Sequence, residues 1–308
     1  MGIFASSSAS FQPVINEVVN AADRQQFVGG QILPILQTRT QIGKYVKVEA
    51  SEFDNDVSKP RAAGSNFANV TGEITSATYE CEEYGVESIL DDLTVAQLET
   101  DALYDSVAAV ANRLADDLSV GHELRVAAAL SGASFTSTAA AAVMSDTSNA
   151  KPINDVQAAV RRLHGNGIFE NINLVMEESL YQEMLQTDDM RNLINGSGTL
   201  AFATDQVARV LGVDGVILCK TKYNSAMKGQ TASRADIWPT DAYYVASIVG
   251  GSLSGGGIGR TMAYSARGGA FVSETFRTEQ PPANVIRVRQ NTDELITNAN
   301  AGQKVTGA

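Results

Sequence analysis

The sequence predicts an α+β protein in which an N-terminal arm, a long β-excursion and one very long helix precede an alternating α/β region. Three observations carry that expectation. Two arms of period-two alternation, at 41–49 and 77–87, flank nearly thirty polar residues rich in Asp, Asn, Ser and Gly. From about Asp101 to Leu130, apolar or small residues recur in steps of three and four. Beyond residue 150, segments of helix and strand length alternate, as in an α/β or α+β domain of about a hundred residues.

The elements follow in order. A Ser/Ala-rich start leads into Val14–Ala22, a short helix pattern without a partner nearby in sequence, read as an arm lying across another surface. Ile32-Leu33-Pro34-Ile35-Leu36 is an apolar anchor whose proline argues against helix. The connection between the two β-arms is far too long for a hairpin turn, and ungoverned loops of this length are usually functional. Asp91-Asp92-Leu93-Thr94 suits a helix start. The long helix presents Leu103, Val107, Val110, Leu114, Leu118, Gly121, Leu124 and Ala128 on one face, and Ser131-Gly132 ends it. Thirty helical residues span roughly 45 Å, against a radius of gyration of about 19 Å for a compact chain of this length. A flat, elongated subunit accommodates such a helix better than a ball does.

Residues 133–149 read as a Ser/Thr/Ala linker and a domain boundary. Then come a capped helix over 154–164, a strand at 172–176, helices at 178–186 and 205–211, a strand at 215–219, and one or two strands within 235–249. A glycine-rich loop occupies 250–257. The tail holds strands at 269–278 and 285–289 around a Pro281-Pro282 break, and then 295–299 before a frayed end. No internal repeat is visible.

Composition bounds the function. The chain has 308 residues, 44% hydrophobic and 19% charged, enough for one large domain or two modest ones. No apolar run reaches the roughly 18 residues that a membrane helix needs, and no membrane partner is expected. The N-terminus lacks a basic region followed by an apolar one, so secretion is not expected. A net charge of −12 suits a poor binder of nucleic acid, whose phosphates demand clustered Lys and Arg. Cys81 and Cys219 read as two reduced, half-buried thiols and not as a bridge.

Searching for chemistry yields little. His122-Glu123 begins like a zinc-protease helix, but Val126 stands where the second histidine is required. His122 and His164 are both expected at exposed helix positions. The acid pairs Asp91-Asp92, Asp116-Asp117, Glu177-Glu178 and Asp188-Asp189 read as solvated faces or helix starts, since adjacent helical carboxylates point apart. The glycine run at 255–259 lacks the features of a phosphate cradle. No catalytic, cofactor-binding or metal-binding residue is singled out; no cofactor is expected, and the chain is not expected to be an enzyme.

Against this background the chain resembles the major capsid proteins of tailed bacteriophages. The resemblance rests on order and texture over most of the chain. Its stations are the 38–45 entry (Thr-Arg-Thr-Gln-Ile-Gly-Lys-Tyr) and the 79–85 return (Tyr-Glu-Cys-Glu-Glu-Tyr-Gly), then Asp91-Asp92 and the long helix. Further stations are the segments 172–176, 210–216 and 235–238, and Arg277 followed by two strands. It implies the tailed-phage major capsid fold: an N-terminal arm (1–38), an extended β-loop called the E-loop (39–90), and a peripheral domain with its spine helix (91–150 with 263–292). An axial α/β domain (151–262 with 293–308) completes it, with the 250–257 loop lining the centre of hexamers and pentamers. The implied function is to tile an icosahedral shell around double-stranded DNA in a virion assembled in the bacterial host cytoplasm. The partners implied are the chain itself, a portal, and separate scaffolding or decoration proteins, with the DNA enclosed and not tightly bound. No scaffolding segment precedes the arm, so the scaffold is expected to be separate or absent. Two alternatives stay open: an encapsulin-type bacterial compartment of the same fold, and an α/β enzyme acting on a small molecule.

Overall fold

The chain enters through the short helix α1 (Gly29–Ile32) and strand β1 (Ile35–Thr38), rises into the hairpin β2 (Ile42–Lys47) and β3 (Thr75–Glu80), and returns along β4 (Glu82–Asp91). The computed structural model describes residues 27–47, 60, 66, 75–93, 106–197, 203–227, 229–250, 257–265, 271–280 and 282–308. The predicted arm helix over 14–22, most of the polar loop tip, and residues 94–105 and 251–256 lie outside the described residues.

The long helix is α2 (Ser106–Gly132), which ends at the predicted glycine. After it come β5 (Thr136–Ala139), α3 (Pro152–Gly165), β6 (Ile172–Glu177), α4 (Glu178–Gln186), α5 (Asp188–Ser197), α6 (Thr204–Leu211), β7 (Gly215–Cys219), β8 (Lys222–Asn224), β9 (Arg234–Asp236) and β10 (Ala242–Ser247). Strands β11 (Gly259–Tyr264), β12 (Phe271–Glu279), β13 (Pro282–Ile296) and β14 (Gly302–Thr306) complete the described elements.

Two five-stranded sheets organise these elements. The first is built on β13, whose fifteen residues serve three partners. Residues 282–290 pair antiparallel with β12, 283–292 with β4, and 292–296 with β11, which in turn takes β1 in parallel. The second runs β5-β14-β10-β6-β7, with β10 antiparallel to β14 and β6. All six residues of β10 are buried, as a strand covered on both faces must be.

Helix α2 joins the sheets. Ala111, Leu114, Ala115 and Leu118 of its first half pack on Ile286 and Val288 of the first sheet. Val126, Ala127 and Leu130 of its second half pack with Ile32, Leu33, Val175, Trp238 and Tyr244 on one face of the second. Helices α3–α6 cover that sheet's other face around Leu163, Leu174, Met184, Val207 and Tyr243.

Several expectations change. The return arm is not one strand: it breaks at Cys81, where the chain leaves β2 as partner and takes β13. Residues 133–149, read as a linker, contain β5, which pairs in parallel with β14. The expected frayed end is β14 itself, seated between β10 and β5 with Gln303 and Val305 buried. Helix α3 begins at Lys151-Pro152, with the proline in its first turn, and not at Asn154. Consequently the divisions at 90/91, 150/151, 262/263 and 292/293 each separate residues that share a sheet. In each case a strand partner remote in sequence decides membership, which local pattern does not register.

Candidate functional site

The hairpin β2–β3 is fastened at its base. The Cys81 amide donates to the Gln41 carbonyl at 2.9 Å, and the Gln41 side chain donates back to the Cys81 carbonyl at 3.0 Å. The Tyr79 hydroxyl meets Oγ1 of Thr40 at 2.9 Å, its ring lying over Gly43, where a Cβ would come within 2.5 Å of it. Tyr45, Tyr79 and Cys81 pack with Met262. Asp293 accepts the Glu80 amide at 2.9 Å; burial pushes its carboxyl above the usual carboxylate range and, with its nearby charge, pushes the Cys81 thiol up. Both cysteines are free and fully buried, not half-buried as expected.

Among the described residues nothing covers the hairpin's other face. Ile42 is 60% exposed and Val46 51% exposed, with Lys44 between them. Alternation explains this: Gly43 and Tyr45 turn inward, so residues 42, 44 and 46 must turn out. A second open face lies on the first sheet, opposite α2. There Glu87 pairs with Arg287 at 2.8 Å, and Arg289 lies between Glu83 and Glu274 at 2.8 and 2.6 Å. Ile89 (62% exposed) and Phe276 flank this ladder, and Leu93 (69% exposed) lies just past β4. Large apolar side chains clustered beside charged rows mark contact surfaces more often than free ones.

Where the two halves of α2 meet, the structure buries His122, expected at an exposed position, and Glu123 beside it. His122 packs under Gly29, its Nε2 3.4 Å from Oγ1 of Thr261 and 3.7 Å from Glu294. Beside it Arg125 grips Glu294 through Nε at 3.1 and 3.2 Å and stacks 3.7 Å above the Tyr84 ring. Glu123 is completely buried and collects donors from three directions. The missed signal is in the register: past Leu118 the buried line steps to 122, 126 and 130, whereas the predicted line through 121, 124 and 128 is half-buried or exposed. His164 is exposed as expected, stacked on Phe169 with centroids 5.2 Å apart.

The acid pairs divide. Glu177 caps α4 and Asp188-Asp189 open α5, as helix starts, while Asp92 pairs with Arg277 at 2.6 Å. Among the described residues no three His, Cys, Asp or Glu side chains are grouped to hold a metal, and no described helix is long and apolar enough to cross a membrane.

No protein-family model matches the sequence, and no curated protein sequence does. Solved structures do. A phage-related protein from Bordetella bronchiseptica superposes with a TM-score of 0.73 at 12% identity, over 96% of this chain and 97% of that one. The capsid of cyanophage P-SCSP1u gives 0.63 at 12% identity, over 92% and 89%. A virus-like particle from Pyrococcus furiosus gives 0.57 at 11% identity, over 98% and 100%. The chain therefore shares its α+β fold, nearly end to end, with proteins of phage capsids and virus-like particles.

Proposed function

We propose that this chain is a structural subunit of an icosahedral shell, a major capsid protein of the tailed-phage type that assembles with itself around double-stranded DNA. Fold alone does not assign function. What carries the reading here is the hairpin: rigidly rooted, raised on its own two strands, and apolar on a face that the described residues leave open. Covering Ile42 and Val46 on a neighbour is worth about 2 kcal/mol for each side chain, repeated at every copy in a closed assembly. The subunit then divides into an E-loop (39–81), a peripheral part on the first sheet and an axial part on the second, with β5 and β14 counted in the axial part. The portal, any scaffolding or decoration protein, and the virion as final location belong to this reading, as does a structural and not catalytic role.

A compartment shell built on the same fold is the second reading, favoured by the likeness to the virus-like particle. Electron microscopy and size-exclusion chromatography of the purified protein test both. Rings or closed shells are expected, and the I42D/V46D variant should remain a folded subunit that fails to close. A compact monomer at every concentration would sink both readings, and DNA recovered from nuclease-treated particles made in infected cells separates the first from the second.

A further inference from the structure

Neither the hairpin nor the charged ladder uses Glu123, yet it is the most thoroughly satisfied acidic side chain near the join of the two sheets. Its Oε2 accepts the amides of Val28 (3.1 Å) and Gly29 (2.7 Å), at the start of α1. Its Oε1 accepts the Thr221 hydroxyl (3.2 Å) and the Trp238 indole N–H (2.8 Å), from the segments flanking β8 and β9. Gly29 is fitted to this approach: a Cβ there would stand 2.9 Å from Oε2.

We propose that Glu123 is a clasp that couples the anchoring of the N-terminal segment to the seating of the Thr221 and Trp238 segments, so that loosening one side loosens the other. The reasoning is one of satisfaction. A buried carboxylate held by four donors is stable, but one stripped of the donors on one oxygen is a poorly satisfied buried acceptor. It then recruits water or shifts, and the donors on its other oxygen lose alignment. Glutamine fills the same space but turns one oxygen into a donor, which must face either two amides or the indole N–H. The clasp thereby fixes the start of α1 against the body, whether or not the subunit builds a shell.

The test uses hydrogen–deuterium exchange on the full chain as dissociated subunits, so that it does not depend on assembly. W238F removes one donor on the far side of the carboxylate. It should speed exchange of the Val28 and Gly29 amides roughly tenfold, the scale of a lost hydrogen bond to a charged group, while β12 and β13 stay protected. Adding W238F to E123Q should then produce no further acceleration. T221V, which removes the other donor on that oxygen and leaves the fold's apolar contacts, should act in the same direction. Trp238 is the only tryptophan in the chain, so its emission should shift in E123Q. Unchanged Val28 and Gly29 exchange in both W238F and T221V, effects that simply add in the double variant, or unshifted emission in E123Q would each overturn the clasp.

Discussion

His122 lies at the junction where α2 passes from one sheet to the other, and its surroundings make it costly to charge. Burial, and then the Arg125 guanidinium on the same helix, lower its pKa from 6.5 to about 4. Thr261 of β11 and Glu294 of β13 face it from the sheet, and Gly29 of α1 covers it. Glu294 does little to oppose the shift, because at 3.7 Å it is beyond a good hydrogen bond and its oxygens are held by Arg125. Between about pH 6.5 and 4 the unfolded chain therefore takes up a proton that the folded chain refuses. Stability from this group is complete above the unfolded value, falls as the pH drops, and levels off below about 4. Urea unfolding of dissociated subunits at pH 7 and pH 4.5 should show an acid loss that is smaller by about 2 kcal/mol in H122Q. An equal acid loss in both proteins would remove His122 as the cause. Such a residue is nearly illegible in sequence: a histidine beside a glutamate on a helix reads as solvated, and the groups that bury them come from residues 29, 221, 238, 261 and 294.

Strand β13 shows how the elements depend on close backbone approach. Gly259 of β11 pairs with Ile296, and a Cβ at 259 would sit 2.1 Å from the Leu295 carbonyl oxygen and 3.1 Å from the Ile296 Cα. Those are backbone atoms with nowhere to go, so G259A must part β11 from β13. It should cost at least about 2 kcal/mol in thermal or urea unfolding, with hydrogen-exchange protection lost first in β1 and β11. G132A, with nothing within 4 Å, should stay within about 0.5 kcal/mol of the parent; similar losses in the two would mean that the close approach is not what matters. Elements with a strong period of their own were legible: β2, the return arm, α2, β6, α4 and β7 all lie near where alternation or 3.6-residue spacing puts them. Most of the strands that escaped, β5, β8, β11 and β14, are short and rich in Gly, Ser, Thr or Lys, while β1, read only as an apolar anchor, is a strand because β11, remote in sequence, pairs with it. Thr136–Ala139 is a strand because β14 offers it an edge, and Gly302–Thr306 because β10 and β5 leave a slot between them. Neither reason exists within the segment itself.

The whole subunit carries a net charge of −12, and the folded arrangement makes its cations less available than that figure suggests. Arg125 is engaged by Glu294, Arg277 by Asp92, Arg287 by Glu87 and Arg289 by Glu83 and Glu274. Lys220 and Lys222 likewise lie on Glu178 and Asp236. A protein grips duplex DNA by offering unpaired Lys and Arg to the phosphates and releasing counterions as it does so. Here the same side chains join strands and loops of the subunit to one another, and the surplus charge repels a polyanion. Under the proposed shell reading, a wall of this kind would retain DNA by closure and not by contact. Dissociated subunits should accordingly show no binding to a fluorescently labelled duplex by anisotropy at physiological salt up to tens of micromolar, weaker than the roughly 10⁻⁴–10⁻⁶ M of ordinary non-specific binders. Lowering the salt should recover little, since the surplus negative charge repels the duplex more strongly as screening falls. Submicromolar affinity that fell steeply with added salt would mean that the arginine ladder opens toward phosphate, and that a shell of the proposed kind would hold DNA by contact and not by enclosure.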